Sequence, residues 1–403
     1  MQASNPTRKL PPLSLYIHIP WCVRKCPYCD FNSHARPEQL PEKAYVDALL
    51  SDLDHDLAQH SASTGDRQIS TVFIGGGTPS LFSAEALDRL LCGIRTRLSL
   101  QTDAEITLEA NPGTVEQGRF AEYRALGINR LSIGVQSFQD ELLEKIGRIH
   151  SGREAIRAAE QAHDAGFSNF NLDLMHGLPG QNLSQALADL RNAIDLEPSH
   201  LSWYQLTLEP NTAFFRKPPT LPDDDRLADI QNRGQDVLSQ AGFTQYEVSA
   251  YSRPDRQCRH NLNYWQFADY IGLGAGAHGK LSSMLPQQVS RTRKRRQPQA
   301  YLDAASSTTA STNPFQSSSV DLKHEDLVAE FMLNALRLKQ GVDMELFTHH
   351  TGLSNSALSA PLNQALQAGL MDSSERLQAS ELGWRFLDDL IALFLPEKSR
   401  SQG

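Results

Sequence analysis

The sequence of 403 residues contains no run of ~18 apolar residues, which excludes a membrane-spanning helix. Its opening, MQASNPTRKLPP, lacks the apolar core of a secretory signal, so export by that route is not expected. Positive charge is in deficit. The 38 Lys and Arg stand against 47 Asp and Glu, a formal charge of -9, which argues against a dedicated nucleic-acid protein. Cysteine is scarce and odd in number, at five, so a disulfide framework is not expected. Such a count fits a reducing compartment and thiols kept for metal or chemistry. The expectation is a cytoplasmic protein, touching the inner face of a membrane only where a partner sits there. With 40% hydrophobic residues the chain can fill a large core.

The cysteines that exist are unevenly placed. Cys22, Cys26 and Cys29 crowd one segment, while Cys92 and Cys258 lie far away. Around them the chain alternates strand and helix patterns. Leu15–Ile19, Thr71–Ile74, Glu105–Glu109, Leu131–Val135, Asn171–Met175 and Leu201–Leu206 read as strands. Helices are expected from Glu42 to about Leu57, from about Ser83, and over Ser184–Leu196. Thr114 with Gln117, and Ser151 with Glu154, read as capping boxes, and Gly166 as a helix stop. Strands apolar on both faces and separated by helices argue a parallel sheet, an α/β fold closed into a partial (β/α)6 barrel. In such folds reactive residues gather at the C-terminal ends of the strands.

After about residue 300 the texture changes. The expected organisation is an N-terminal tail over 1–12, a barrel with an extension over 13–303, a Ser/Thr-rich linker over 304–320, and a small, mostly helical domain over 321–398. Helices near Glu325–Leu338, Ala357–Ala368 and Glu381–Leu395, with a hairpin at Leu370–Ala379, suggest a winged-helix-like module.

Thiolates spaced as Cys22-x3-Cys26-x2-Cys29 can converge from one loop on a metal or an iron–sulfur cluster. A structural zinc site wants four closed ligands, usually in two separated pairs, and here there is a single trio. On a four-iron cluster, three ligands leave one iron open. Gly75-Gly76-Gly77-Thr78-Pro79, after the second strand, lets backbone approach a small ligand, or simply makes a tight turn. Glu109, Gln136, Arg148 and Asp173 end or follow later strands, and each alone would pass for an ordinary cap or ion-pair partner. Cys258-Arg259-His260-Asn261-Leu262-Asn263-Tyr264-Trp265 places a histidine among flat aromatic rings, a pattern that is packing as often as a porphyrin pocket. The run Arg291-Thr292-Arg293-Lys294-Arg295-Arg296 is basic in an acidic chain. Its plain reading is a solvated surface. Its sharper readings are contact with haem propionates, anionic lipid or nucleic acid.

The segment Cys22-Val23-Arg24-Lys25-Cys26-Pro27-Tyr28-Cys29 resembles the cluster motif of the radical S-adenosylmethionine (SAM) superfamily. The resemblance implies a [4Fe-4S] cluster on Cys22, Cys26 and Cys29 whose open iron takes the amine and carboxylate of SAM. Reduction then yields a 5′-deoxyadenosyl radical. It further implies that Gly76, Gly77 and Thr78 bind the SAM amine. In the related oxygen-independent coproporphyrinogen oxidase family, positions matching Glu109, Gln136, Arg148 and Asp173 contact SAM, with Tyr16 and Tyr28 beside the cluster.

HNLNYW, GAGAHG, MHGLPGQ and GVQSF resemble the HemW branch of that family, radical SAM haem chaperones, from about Leu13 to the final helix. The branch implies haem as cargo, an acceptor haemoprotein, and His260 as haem ligand, with His278 and Cys258 behind it. Two departures separate this chain from the oxidases. Their motif carries a further cysteine where Phe31 stands here, and few residues precede the first strand. A coproporphyrinogen III oxidase is therefore the alternative, and an RNA-modifying radical SAM enzyme a remote one.

Overall fold

The computed structural model describes residues 10–113, 118–284, 287–307 and 313–396. The expected cap at Thr114 and Gln117 falls outside them. The first strand, β1 (Leu13–Ile19), is buried along both faces, as its apolar run requires, and Pro20 ends it. It is followed by β2 (Ile69–Gly76), β3 (Leu100–Ala110), β4 (Arg130–Gln136), β5 (Phe170–His176) and β6 (His200–Gln205), each parallel to its predecessor. Helices α1 (Glu42–Gln59), α2 (Ala84–Arg95), α3 (Gly152–Asp164) and α4 (Leu183–Asp195) make four of the five crossovers, and the short helix Phe120–Ala125 lies in the one between β3 and β4. The capping box Ser151–Glu154 is formed, and Gly166 takes a left-handed φ of 80°. A second box, Asn182 with Gln185, starts α4. This is the expected partial (β/α)6 barrel.

The sheet does not stop at six strands. The chain adds β7 (Thr244–Glu247), β8 (Ala250–Ser252), β9 (Asp269–Leu273), β10 (His278–Met284), β11 (Gln287–Lys294) and β12 (Gln316–Asp321). The full order is β12-β11-β10-β9-β1-β2-β3-β4-β5-β6-β8-β7. Strand β9 lies parallel to β1, and the outer additions are antiparallel. Two expectations are corrected here. Gln316–Val320, read as the end of a linker or surface loop, belongs to an edge strand on β11 that runs to Asp321 and is exposed along nearly its whole length. The basic run is not uniformly solvated: it forms β11, whose pleat sends Arg293 outward while Lys294 is fully buried.

Beyond β12, α5 (Arg259–Trp265) of the barrel extension meets α6 (His324–Ala335), followed by α7 (Met344–Thr351) and α8 (Ser359–Gln367). Their core joins Phe331, Met332, Phe347 and Leu362 to Phe267 and Val289 of the extension. The expected hairpin is smaller than its sequence suggested. Val342–Asp343 pairs with Arg376–Leu377, and Met371 bridges Ala379. The last expected helix is broken at Phe386 into Glu381–Arg385 and Leu387–Ala392. Among the described residues no helix is long and apolar enough to cross a membrane.

Candidate functional site

The loop after β1 is held by its own sequence. The Lys25 ammonium donates to the carbonyls of Phe31 (3.0 Å) and Ser33 (3.2 Å), and Cys29 N–H donates to Cys26 O (3.2 Å). Asn32 fastens the loop to the sheet extension, donating to Ala275 O (2.9 Å) in the turn between β9 and β10 and to Arg296 O (2.8 Å) just beyond β11. Gly276, at φ 82°, is required there because a Cβ would lie 2.3 Å from the Asn32 amide. Gly77 has a similar cause. A Cβ on it would fall 2.5 Å from Trp21 O, so this glycine lets the turn after β2 pack on the cysteine loop. Of the two readings of the glycine turn, ligand approach or a tight turn, the loop contact is a sufficient reason for Gly77 on the side of packing.

At the C-terminal mouth of the barrel a cavity of about 470 Å³ is lined by Cys22, Cys26, Cys29, Tyr28, Gly76, Gly77, Thr78, Glu109, Gln136, Arg148 and Asp173. Eleven residues singled out from separate segments thus share one chamber. Its electrostatics follow from enclosure. Burial raises the Cys22 and Cys29 thiols and pushes Tyr28 above its ordinary range. Burial lifts Glu109 to about 7, against the Gly76 N–H that donates to its carboxylate at 2.9 Å. Asp173 is raised by the same cause, although Ser132 (3.1 Å) and Asn171 (2.8 Å) donate to it. Burial opposes the Arg148 charge, but Tyr28 and Cys26 outweigh it. Gln136 sits at φ 69°, a left-handed position that non-glycine residues hold only where their surroundings compel it.

Asn111 is the residue the sequence reading passed over. Its amide donates to Thr78 Oγ1 (2.8 Å), and its Oδ1 accepts from Arg148 (2.8 Å), which also donates to Gly134 O. It thereby connects the glycine turn to Arg148. The signal available was its place in Asn111-Pro112-Gly113, directly after β3. Tyr204, which donates to Gln136 Oε1 (2.8 Å), was missed for want of any motif. Arg337, reaching the same chamber from behind α6 while paired with Glu247 (3.0 Å), belongs to a distant part of the chain.

The residues fit an iron–sulfur cluster and SAM. Among the described residues no three His, Cys, Asp or Glu side chains converge on a point that would hold a single ion. The three thiols are free and half-buried around one opening, as a larger multi-iron group needs. The Arg148 Nε is buried without a partner among the described residues, a donor left for a ligand in this chamber.

Two further chambers adjoin. Tyr16, His260 and Asp173 line an inner one with Arg130, and Tyr16 and His278 line an outer one with Phe31 and Arg293. Tyr16 donates to His18 Nδ1 (2.9 Å) and stacks on Phe73. His260, the expected haem ligand, is held by hydrogen bonds at both ring nitrogens. Thr71 gives its hydroxyl proton to Ser14 (2.8 Å), so it accepts from His260 Nδ1 (2.7 Å), and His260 Nε2 accepts from Tyr264 (3.0 Å). Burial pushes the pKa of this histidine down to about 3. The Cys258 thiol is fully buried and donates to Glu105 at 3.7 Å. Cys92 is exposed on α2, far from every chamber.

Comparison with known proteins places this geometry. The radical SAM superfamily model matches residues 16–193, and the HemN C-terminal domain model matches residues 322–386. The heme chaperone HemW of Escherichia coli is 51% identical, over 96% of this chain and 100% of that protein. Its counterpart in Haemophilus influenzae is 48% identical, over 97% and 100%, and that of Bacillus subtilis 34%, over 90% and 93%. The solved coproporphyrinogen III oxidase HemN of Escherichia coli is similar in fold, with a TM-score of 0.78, 23% identity, and coverage of 96% of this chain and 91% of that one. Identity of this degree over the full length of its relatives shows that the chain belongs to the heme chaperone HemW family, within the radical SAM superfamily.

Proposed function

We propose that this protein is a haem chaperone. It takes haem as cargo and hands it to an acceptor haemoprotein while a SAM-liganded [4Fe-4S] cluster occupies the chamber at the barrel mouth. Cys22, Cys26 and Cys29 would hold the cluster. Gly76, Gly77 and Thr78 would face the SAM amine, and Glu109, Gln136, Arg148 and Asp173 would supply the polar wall for its remaining groups. Tyr16 and Tyr28 stand beside it. When bound, that pair of cofactors supplies one-electron chemistry; the chain's own part is to orient SAM and exclude water. The chaperone acts in the cytoplasm, and at the inner membrane face when its acceptor resides there.

The observation that carries this reading over an oxidase is position 31. The ring of Phe31 is 60% exposed and lines both the cysteine chamber and the outer chamber, where the oxidase motif would put a fourth thiol. The test is anaerobic reconstitution with cluster and SAM, followed by offering haem or coproporphyrinogen III with a reductant. A Soret band that stays with the protein, moves to an apo-haemoprotein on mixing, and forms no decarboxylated product is expected. Robust formation of protoporphyrinogen would overturn the proposal.

A further inference from the structure

The outer chamber is bounded by β10, β11 and β12 on one side and by the cysteine loop on the other. It encloses about 560 Å³, within the range of pockets that bury small organic ligands. Its walls include the rings of Tyr16, Phe31, Tyr264 and Tyr270. Tyr264 and Tyr270 meet edge to face at 4.5 Å, which fixes both rings.

His278 opens β10 and is exposed to this space. Among the described residues neither of its ring nitrogens has a hydrogen-bond partner, in contrast to His260. Burial, together with Arg293, Arg291 and Arg296, holds its pKa below the ordinary histidine value, so the ring keeps a free lone pair at neutral pH. Arg293 lies directly opposite His278 in the β10–β11 register, and facing residues of an antiparallel pair share one side of the sheet. Arg296, just beyond β11, lines the same wall.

The basic run divides by use. Arg291 is committed to Glu330 (2.5 Å) and Tyr270 (2.5 Å), and Lys294 to Asp52 and Asp56. Arg295 donates to Pro314 O (2.7 Å). Arg293 and Arg296 are exposed, and among the described residues neither guanidinium has an acidic partner. Asp30 and Glu109 are the acids of the chamber, and Glu109 is half-neutral near pH 7. Two uncommitted guanidiniums beside flat aromatic walls and one unpartnered imidazole describe a receptor for a flat, metal-bearing dicarboxylate. Guanidinium binds carboxylate through two parallel hydrogen bonds, and imidazole is an axial donor to porphyrin iron.

We propose that the outer chamber is the haem site of this chain, with His278 as the axial ligand and Arg293 and Arg296 as the partners of the two propionates. The assignment rests on the haem-chaperone reading. It moves the cargo from the neighbourhood of His260 to the sheet extension, against the wall that Phe31, Gly76 and Glu109 share with the cysteine chamber.

The test uses the full chain with ferric haem and with iron-free protoporphyrin IX, following the Soret band and the quenching of porphyrin fluorescence. His278→Ala should weaken ferric haem roughly tenfold or more and change the spectrum of its axial coordination, while protoporphyrin IX binding falls much less. Arg293→Ser with Arg296→Ser should weaken both ligands by about 10- to 100-fold. His260→Ala should leave the axial spectrum as in the parent protein. Cluster absorbance and urea midpoint, unchanged in the exposed-residue variants, show that the fold is intact. If the parent protein retains no haem, the chaperone reading fails and this site with it. If the parent binds haem and the His278 and arginine variants bind it equally well, the chaperone reading stands and the site assignment is overturned.

Discussion

Lys294 gives the sharpest test of how the basic run is divided. Its ammonium lies between Asp52 (2.5 Å) and both oxygens of Asp56 (2.7 Å), with Lys294 and Asp52 fully buried and Asp56 nearly so. Tyr301 donates to Asp52 (2.7 Å) and Asn313 to Asp56 (2.7 Å), so the carboxylates are satisfied only while the cation stays. Lys294→Met keeps the apolar stem and deletes the charge, leaving two carboxylates buried against each other. Removing one partner of a buried ion pair costs about 3–5 kcal/mol. Arg293→Ser, one residue away on the exposed side of the same strand, should change stability by no more than about 0.5 kcal/mol. Urea unfolding followed by tryptophan fluorescence measures both.

The pH dependence fixes the sign. Burial raises Asp52 to about 6 even with Lys294 in place, so its folded state prefers the proton, and stability from this group falls as pH rises through that value. Without the lysine the preference strengthens. The deficit of Lys294→Met should therefore be larger near pH 8 than near pH 5.5, roughly the two sides of that titration. Adding Asp52→Asn and Asp56→Asn to Lys294→Met should restore much of the loss. A single variant as stable as the parent near pH 8, or a deficit that grows on acidification, would refute the reasoning.

In the reconstituted protein, Cys26→Ser should abolish the visible absorbance of the cluster while Cys92→Ser, exposed on α2, leaves it intact; loss in both would show that the trio is not the ligand set. Because Glu109 titrates at about 7, the parent's affinity for SAM should rise as pH passes upward through that value and the carboxylate becomes an acceptor. Glu109→Gln should bind SAM with no such slope, and an identical slope in both would place the titration elsewhere. Asn32→Ala deletes the two hydrogen bonds from the cysteine loop to the β9–β10 turn and to the residue beyond β11, and the bared carbonyls should cost about 1–3 kcal/mol of unfolding stability.

The barrel strands were legible because each is a short apolar run between turn signals, and tertiary structure merely lengthened them: Thr71–Ile74 became Ile69–Gly76. The cluster loop and the glycine turn were legible because their spacing is dictated by chemistry rather than by packing. What the sequence hid depends on alignment between distant segments. Nothing in the polar stretch Gln316–Asp321 marks it as a strand until β11 is there to pair with it. Asn111 looked like part of a turn until Thr78 and Arg148 came within hydrogen-bond distance from two other strands. The surroundings of His260 were hidden for the same reason. A motif names the residue, but only the partners Thr71 and Tyr264, one 189 residues away, decide whether its lone pair is free.

On the haem-chaperone reading proposed above, position 31 is where one side chain separates two chemistries on a common fold. The cysteine loop must present three thiols inward and still turn back to meet the sheet, and Lys25 fixes that turn by gripping the Phe31 carbonyl. The side chain at 31 is therefore thrown outward, onto the wall between the two chambers. A thiol there would stand within the reacting space of both. A phenyl ring brings neither charge, proton nor metal affinity, and it offers a flat apolar face of the kind a planar cargo stacks on. The same loop can then hold a cofactor on one side and rest against a tetrapyrrole on the other, with Gly76 and Glu109 completing the partition. Replacing Phe31 with serine should weaken haem retention several-fold by removing that face while leaving cluster absorbance unchanged, and equal loss of both signals would show that the ring serves the loop rather than the cargo.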